Sequence, residues 1–243
     1  MPQFFLKPEN IEDNTFSLDK SESYHLITVF KKKPEDVIQL FDGLGNVYEG
    51  VIKYVKDERV FGKLQVIKRF STNGKLKLFA PLIKGERFDW LVEKVTEIGV
   101  HCIQPVITSR TTVKFKSKEK RDRWQKIAIS AAKQSKAPFV PVIEIPVNFD
   151  KAVKENSKEY KNILFTGNEN DPYPGNIIER LKKDSNSSCY GIWIGPEGGF
   201  SLQEIAHAKE EKYFFCSLGA QILRAETACI VSAALVKFEV EKK

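Results

Sequence analysis

Hydrophobic and polar residues follow two different rhythms along this chain, and the rhythm changes near residue 75. Before that point the apolar positions tend to alternate. The stretch Val37–Val55 holds two apolar, partly alternating runs around Asp42-Gly43-Leu44-Gly45-Asn46, which predicts a β-hairpin. Arg59–Phe70 predicts another strand pair or one bent strand, and Tyr24–Phe30 a short helix, with Pro34 ending the segment that follows. Several short strands so close together predict a small β-barrel over residues 1–70. The polar stretch 71–75, with Gly74, reads as a linker.

From residue 76 to residue 243 strands and helices alternate. Leu76–Ile83 reads as a buried strand. In the next segment Phe88, Leu91, Val92, Val95 and Ile98 share one helix face, and Gly99 stands where a helix ends in a left-handed residue. Cys102–Ile107 is the next strand, and Glu119–Ser135 a helix with Trp124, Ile127, Ala128 and Ala131 on one stripe. Asn162–Gly167 and Tyr190–Gly199 run from strand into loop. Ser201-Leu202-Gln203-Glu204 is a capping box that starts a helix. Tyr213–Leu218 is a strand and Ala225–Val240 a long apolar helix. This order predicts an α/β domain with a mostly parallel sheet covered on both faces. Ligands of such sheets bind beyond the carboxyl ends of the strands. Gly167, Gly195–Gly199 and Leu218–Gly219 all fall at predicted strand ends, so three loops are expected to line one crevice.

Composition adds a compartment and a partner class. Among 243 residues, 42% are hydrophobic, enough for a sizeable core. No apolar run reaches the ~18 residues that span a bilayer. The N-terminal MPQFFLKPENIED lacks a basic segment followed by an apolar one, so a cytoplasmic protein without membrane contact is expected. Cys102, Cys189, Cys216 and Cys229 form no CxxC pair, and His25, His101 and His207 are scattered, so no metal site is expected and the thiols are expected to be reduced and buried. The net charge of +7 favours a polyanion. Two basic zones stand out. One is Lys31, Lys32 and Lys33 with Lys63; the other runs from Arg110 to Arg123 through Lys114 and Lys116, interleaved with Phe115.

Two motifs carry the chemistry. Gly195-Pro196-Glu197-Gly198-Gly199-Phe200-Ser201 joins a strand to a capped helix, where glycines admit a ligand close to the backbone and free N–H groups point outward. It is no P-loop, because no Gly-Lys-Ser/Thr follows. Gly43-Leu44-Gly45-Asn46 lacks the third glycine of a dinucleotide fingerprint and leads into a strand. The second motif, Leu218–Ala228, passes from strand end through loop to helix. In it Glu226 suits the helix dipole, and Arg224 reads either as a surface cation or as a clamp on an anionic group.

Together GPEGGFS and LGAQILRAETA resemble the knotted α/β methyltransferases of the SPOUT superfamily, and within it the RsmE family. The resemblance extends through Trp90–Val100, Ile103–Arg110 and Arg123–Ser135 with Pro141, and the β-rich N-terminus is similar to that family's PUA-like RNA-binding domain. It implies a trefoil knot near the C-terminus, against the usual rule that chains are unknotted. It implies a homodimer whose active site lies near the subunit interface. It also implies S-adenosyl-L-methionine held by Thr166, Gly167, Ile194, Gly195, Pro196, Glu197, Gly198, Leu218, Gly219, Ile222 and Leu223. The implied reaction is methylation of N3 of one uridine in 16S ribosomal RNA of the small subunit. Two positions depart from the family pattern. Gln3 stands where an Arg is usual, so an RNA contact there is absent or moved; Lys136 replaces another Arg and offers a point charge in place of a planar fork.

Methyl transfer to nitrogen needs in-line approach and loss of a weakly acidic proton. The candidates are Arg224, to stabilise developing negative charge, and Glu226, to accept the proton, with helix capping as the alternative role for Glu226. Lys31, Lys32, Lys33, Arg110, Lys114, Lys116 and Lys136 are the candidate RNA contacts. Two other functions stay open at this stage: a SPOUT enzyme acting on a tRNA base or a ribose 2′-OH, and a non-catalytic RNA-binding assembly factor.

Overall fold

The computed structural model describes residues 2–71, 74–113, 115, 118–167, 175, 177–183 and 189–241. Lys114 and Lys116 lie outside these described residues. The chain divides into two units. One joins Met1–Thr72 to Ile129–Val140; the other joins Asn73–Ala128 to Pro141–Lys243.

The first unit is built on strands β1 (Gln3–Phe5), β2 (Ile11–Glu12), β3 (Thr15–Ser17), β4 (Val37–Phe41), β5 (Asn46–Lys56) and β6 (Arg59–Arg69). They form one sheet in the order β1-β4-β5-β6-β3-β2, in which only β1 and β4 pair in parallel. Phe4 of β1 and Phe16 of β3 belong to the same core, with Leu26, Ile38 and Leu40. Strands far apart in the hydrogen-bond ladder therefore enclose one interior, as the barrel expectation requires. Helix α1 (Lys20–Tyr24) is capped by the Asp19 side chain and runs on into a π-helical turn, His25–Val29. The expected hairpin is β4 and β5. Buried Asp42 organises its turn by accepting hydrogen bonds from Leu44 N, Asn46 N, Asn46 Nδ2 and Tyr48 Oη. Arg59–Arg69 is one strand, not a pair. Its turn from β5 places Asp57 at φ 50° and Glu58 at φ 64° without a glycine to announce it.

The second unit alternates as the pattern predicts. Its elements are β7 (Lys75–Pro81), α2 (Glu86–Ile98), β8 (Cys102–Ile107), α3 (Lys118–Ser135), β9 (Val142–Ile143), β10 (Val147–Asn148), α4 (Phe149–Asn156), β11 (Lys161–Phe165), α5 (Ile177–Lys183), β12 (Cys189–Ile194), α6 (Leu202–Glu210), β13 (Phe214–Cys216) and α7 (Ala225–Glu241). The division between the units falls inside α3. Gly99 ends α2 at φ 93°, the left-handed position expected of it.

All pairings in this unit's sheet are parallel, in the order β10-β8-β7-β12-β11-β13, with β9 also on β8. Strand β12 enters between β7 and β11, and β13 returns to the outer side of β11. The pleat puts alternate residues on opposite faces. Phe79, Trp193 and Leu164, paired in register, face a core shared with Phe149, Val153 and Ala208 of α4 and α6. Leu78, Ile192 and Ile163 project to the other side, where α7 packs on β7, β12 and α2. The Phe79 and Trp193 rings stack with centroids 3.7 Å apart, and Trp193 Nε1 donates to buried Asn162 Oδ1 at 2.8 Å. Both faces are covered, which is why these strands read as unbroken apolar runs.

Candidate active site

The reversal of strand order between β12 and β13 opens a cleft at the carboxyl end of the sheet, where this architecture holds ligands. Its walls come from three strand ends. Thr166 and Gly167 follow β11; Ile194 ends β12, and Gly195, Pro196, Glu197 and Gly198 follow it; Leu218, Gly219, Ile222 and Leu223 follow β13. Each of these is a residue assigned to the cofactor from the sequence. Gln221, Phe200 and Ala228 also line the cleft. A Cβ built on Gly167, Gly199 or Gly219 meets no atom within 4 Å, so bare backbone faces open space there. Apolar Ile194, Leu218 and Leu223 beside unshielded backbone suit a ligand with a flat apolar part and several polar edges.

The glycine loop is held from outside the cleft. Gly199 N donates to Pro196 O at 2.7 Å, closing a tight turn. The capping box forms as predicted: Ser201 Oγ accepts from Glu204 N, and Glu204 Oε2 accepts from Ser201 N. Glu204 is buried and does more than cap. Its Oε1 accepts from Ser109 N at 2.7 Å, tying the loop after β8 to the start of α6. Next to it, Arg110 Nη1 donates to Gly198 O at 2.5 Å. Arg110, assigned to RNA from its charge, thus braces the glycine loop.

Glu226 and Arg224 diverge sharply although two residues apart. Glu226, in the first turn of α7, is buried, and its Oε2 has no hydrogen-bond partner among the described residues. The cation near it is Arg87, whose Nη1 lies 3.7 Å from Glu226 Oε2 and 3.0 Å from Glu197 Oε1. Arg224 is exposed, and its backbone carbonyl accepts from Ala228 N at 2.8 Å. Neither side chain is part of the cleft wall. Arg87 escaped the sequence reading because an arginine in a helical first turn looks like a surface residue; nothing local marks its two carboxylate partners.

Residues 71–237 match the sequence model described as an RNA methyltransferase domain, and residues 18–65 match that of an RNA methyltransferase PUA domain. The ribosomal RNA small subunit methyltransferase E of Synechocystis sp. is 30% identical, over 94% of this chain and 75% of its own length. The chain belongs to this methyltransferase family. The Bacillus subtilis member is 29% identical over 99% of this chain and 98% of that protein. The crystal structure of the Neisseria gonorrhoeae member, bound to S-adenosyl methionine, is 28% identical and superposes with a TM-score of 0.82 over 98% of this chain and 97% of that one. The α/β catalytic domain and the PUA-like domain expected from the sequence are both family features.

The remaining basic candidates occupy varied positions. Lys31 is exposed at φ 52°; Lys32 lies 4.0 Å from Asp36, whose carboxylate also accepts from Lys33 N. Lys63 is exposed on β6. Lys136 takes φ 55° just past the end of α3, with its side chain exposed. Much of the second basic zone is committed to the fold. Arg121 Nε donates to Ile143 O at 2.8 Å, and Arg123 pairs with Asp89, which also accepts from Trp124 Nε1.

The cysteines need one correction: only Cys216 and Cys229 are buried, while Cys102 and Cys189 are half-buried. Burial holds the Cys216 and Cys229 thiols well above their ordinary range, and burial with the nearby Glu144 charge pushes Cys102 up to about 12. Among the described residues no helix is long and apolar enough to cross a membrane.

Proposed function

We propose that this chain transfers a methyl group from S-adenosyl-L-methionine to N3 of a specific uridine in 16S ribosomal RNA of the small subunit. The observation that carries this reading is the cleft: every residue assigned to the cofactor on sequence grounds lies on one wall or another of it. The cleft fits such a group because its glycines leave backbone room and its walls set apolar side chains beside polar backbone. When bound, S-adenosyl-L-methionine supplies an electrophilic methyl on a sulfonium whose leaving group is a neutral thioether.

The chain's own residues have three tasks. The loops after β11, β12 and β13 hold the donor in place, so that a flipped-out or single-stranded base is met in line. Arg224, exposed beside the cleft loops, stabilises negative charge that develops on the uracil ring. Glu226, with its buried unsatisfied oxygen, accepts the N3 proton. Lys31, Lys63 and Lys136 engage the phosphate backbone, together with Lys114 and Lys116 outside the described residues.

The same reading gives a trefoil-knotted C-terminal domain, in keeping with the insertion of β12 between β7 and β11. It also gives a cytoplasmic homodimer. Exposed Trp90 on α2 and Phe238 on α7 are consistent with a subunit interface on the helices that pack together there. The test is methyl incorporation by the purified protein into small-subunit RNA or assembled small subunits, followed by nucleoside analysis. N3-methyluridine is the expected product. Methylated ribose or another methylated base would overturn the site of transfer.

A further inference from the structure

Arg87 occupies a position its own helix does not favour. The first turn of α2 is the positive end of the helix dipole, and Glu86 and Asp89 satisfy it there. A guanidinium between them needs another cause, and the structure provides it on neighbouring elements. Arg87 Nη1 lies 3.0 Å from Glu197 Oε1 of the glycine loop and 3.7 Å from Glu226 Oε2 of α7. The Glu197 side chain is 53% exposed and the Glu226 side chain 6%. The close partner is thus the exposed one, while the buried carboxylate lies beside the guanidinium without a hydrogen bond among the described residues. A buried carboxylate beside a cation is strongly sensitive to losing it.

We propose that Arg87 is a positioning residue that couples the cofactor loop to Glu226. It pins the glycine loop through Glu197 and sets its guanidinium beside the buried Glu226 carboxylate. The glycine loop and the start of α7 are then positioned through one side chain. This rests on the functional reading above, in which the cleft binds S-adenosyl-L-methionine and Glu226 takes a proton.

The test uses the full chain with Arg87→Met, Arg87→Lys, Glu197→Gln and the Arg87→Met/Glu197→Gln double variant. Binding of S-adenosyl-L-methionine is measured by calorimetry, and methyl transfer is resolved into kcat and KM. Arg87→Met is expected to weaken binding about two- to fivefold, the scale of one lost surface ion pair. Its kcat should also fall, because Glu226 loses the group that positions it. Arg87→Lys should restore kcat and part of the affinity, since it keeps the charge and loses the fork. The double variant should bind no worse than Arg87→Met alone, because both changes break one pair. Wild-type affinity and an unchanged kcat in Arg87→Met would overturn the coupling. So would a weakened Arg87→Met whose kcat does not move, which would mark a role in loop stability alone. Wild-type protein that is folded yet binds no S-adenosyl-L-methionine would instead overturn the functional reading itself.

Discussion

Arg110 Nη1 donates to the Gly198 carbonyl at 2.5 Å, and a Cβ on Gly198 would approach Arg110 Cβ and Cδ to 3.3 Å. The glycine lets the arginine lie flat along the loop it braces. Arg110→Ala is therefore expected to weaken S-adenosyl-L-methionine binding about three- to tenfold in the absence of RNA, the usual scale for one charge-assisted bond. Calorimetry without RNA checks this. A change seen only in the salt dependence of RNA binding would return Arg110 to the plain phosphate-contact role its charge suggested.

Glu204 is the next support behind the same loop. It accepts from Ser109 N and Ser201 N at 2.7 Å each while buried. Glu204→Ala strands two backbone donors and is expected to cost about 2–4 kcal/mol, against about 1 kcal/mol for Ser201→Ala, which removes only the cap. Urea unfolding of the two variants compares them directly. Equal losses would mean that the Ser109 contact contributes little.

A third expectation concerns acid. Burial, with Lys237 and Lys75 nearby, holds His101 down at about 4 from its ordinary 6.5, and its Nδ1 accepts from Leu76 N. The folded state thus prefers neutral His101, whereas the unfolded chain takes a proton as pH falls below about 6.5. The contribution is complete above that pH and is lost progressively between about 6.5 and about 4. His101→Gln should flatten this part of the stability curve, measured by urea midpoints at several pH values. An unchanged slope would remove His101 from the account.

Gly191 pairs with Asn162 across β12 and β11, and a Cβ there would run into Asn162 Oδ1, the acceptor for Trp193 Nε1. Gly191→Ala should displace the amide and leave the indole N–H unsatisfied, costing about 2–4 kcal/mol by thermal or urea unfolding. A loss under about 0.5 kcal/mol, the range of an ordinary surface change, would contradict this packing.

The sequence made the alternating architecture legible because buried parallel strands and amphipathic helices write long, strong patterns. Cys102–Ile107 is a strand to the residue, and α2 ends where Gly99 requires. Helix α4 was not foreseen, since eight residues after two-residue strands give too little periodicity to register. The single strand β6 was ambiguous because its turn uses Asp57 and Glu58 in left-handed conformations that glycine would have advertised. In the site, backbone loops were readable from glycine and strand ends. The braces behind them, Arg87, Glu204 to Ser109 and Arg110 to Gly198, join residues far apart in sequence, so only the folded chain brings them together.

The central claim is tested most directly by nucleoside mass spectrometry of small-subunit ribosomal RNA from a strain lacking this gene, beside the same strain complemented with it. The account predicts that N3-methyluridine disappears on deletion and returns with the wild-type chain. Full retention of N3-methyluridine in the deletion strain would contradict it.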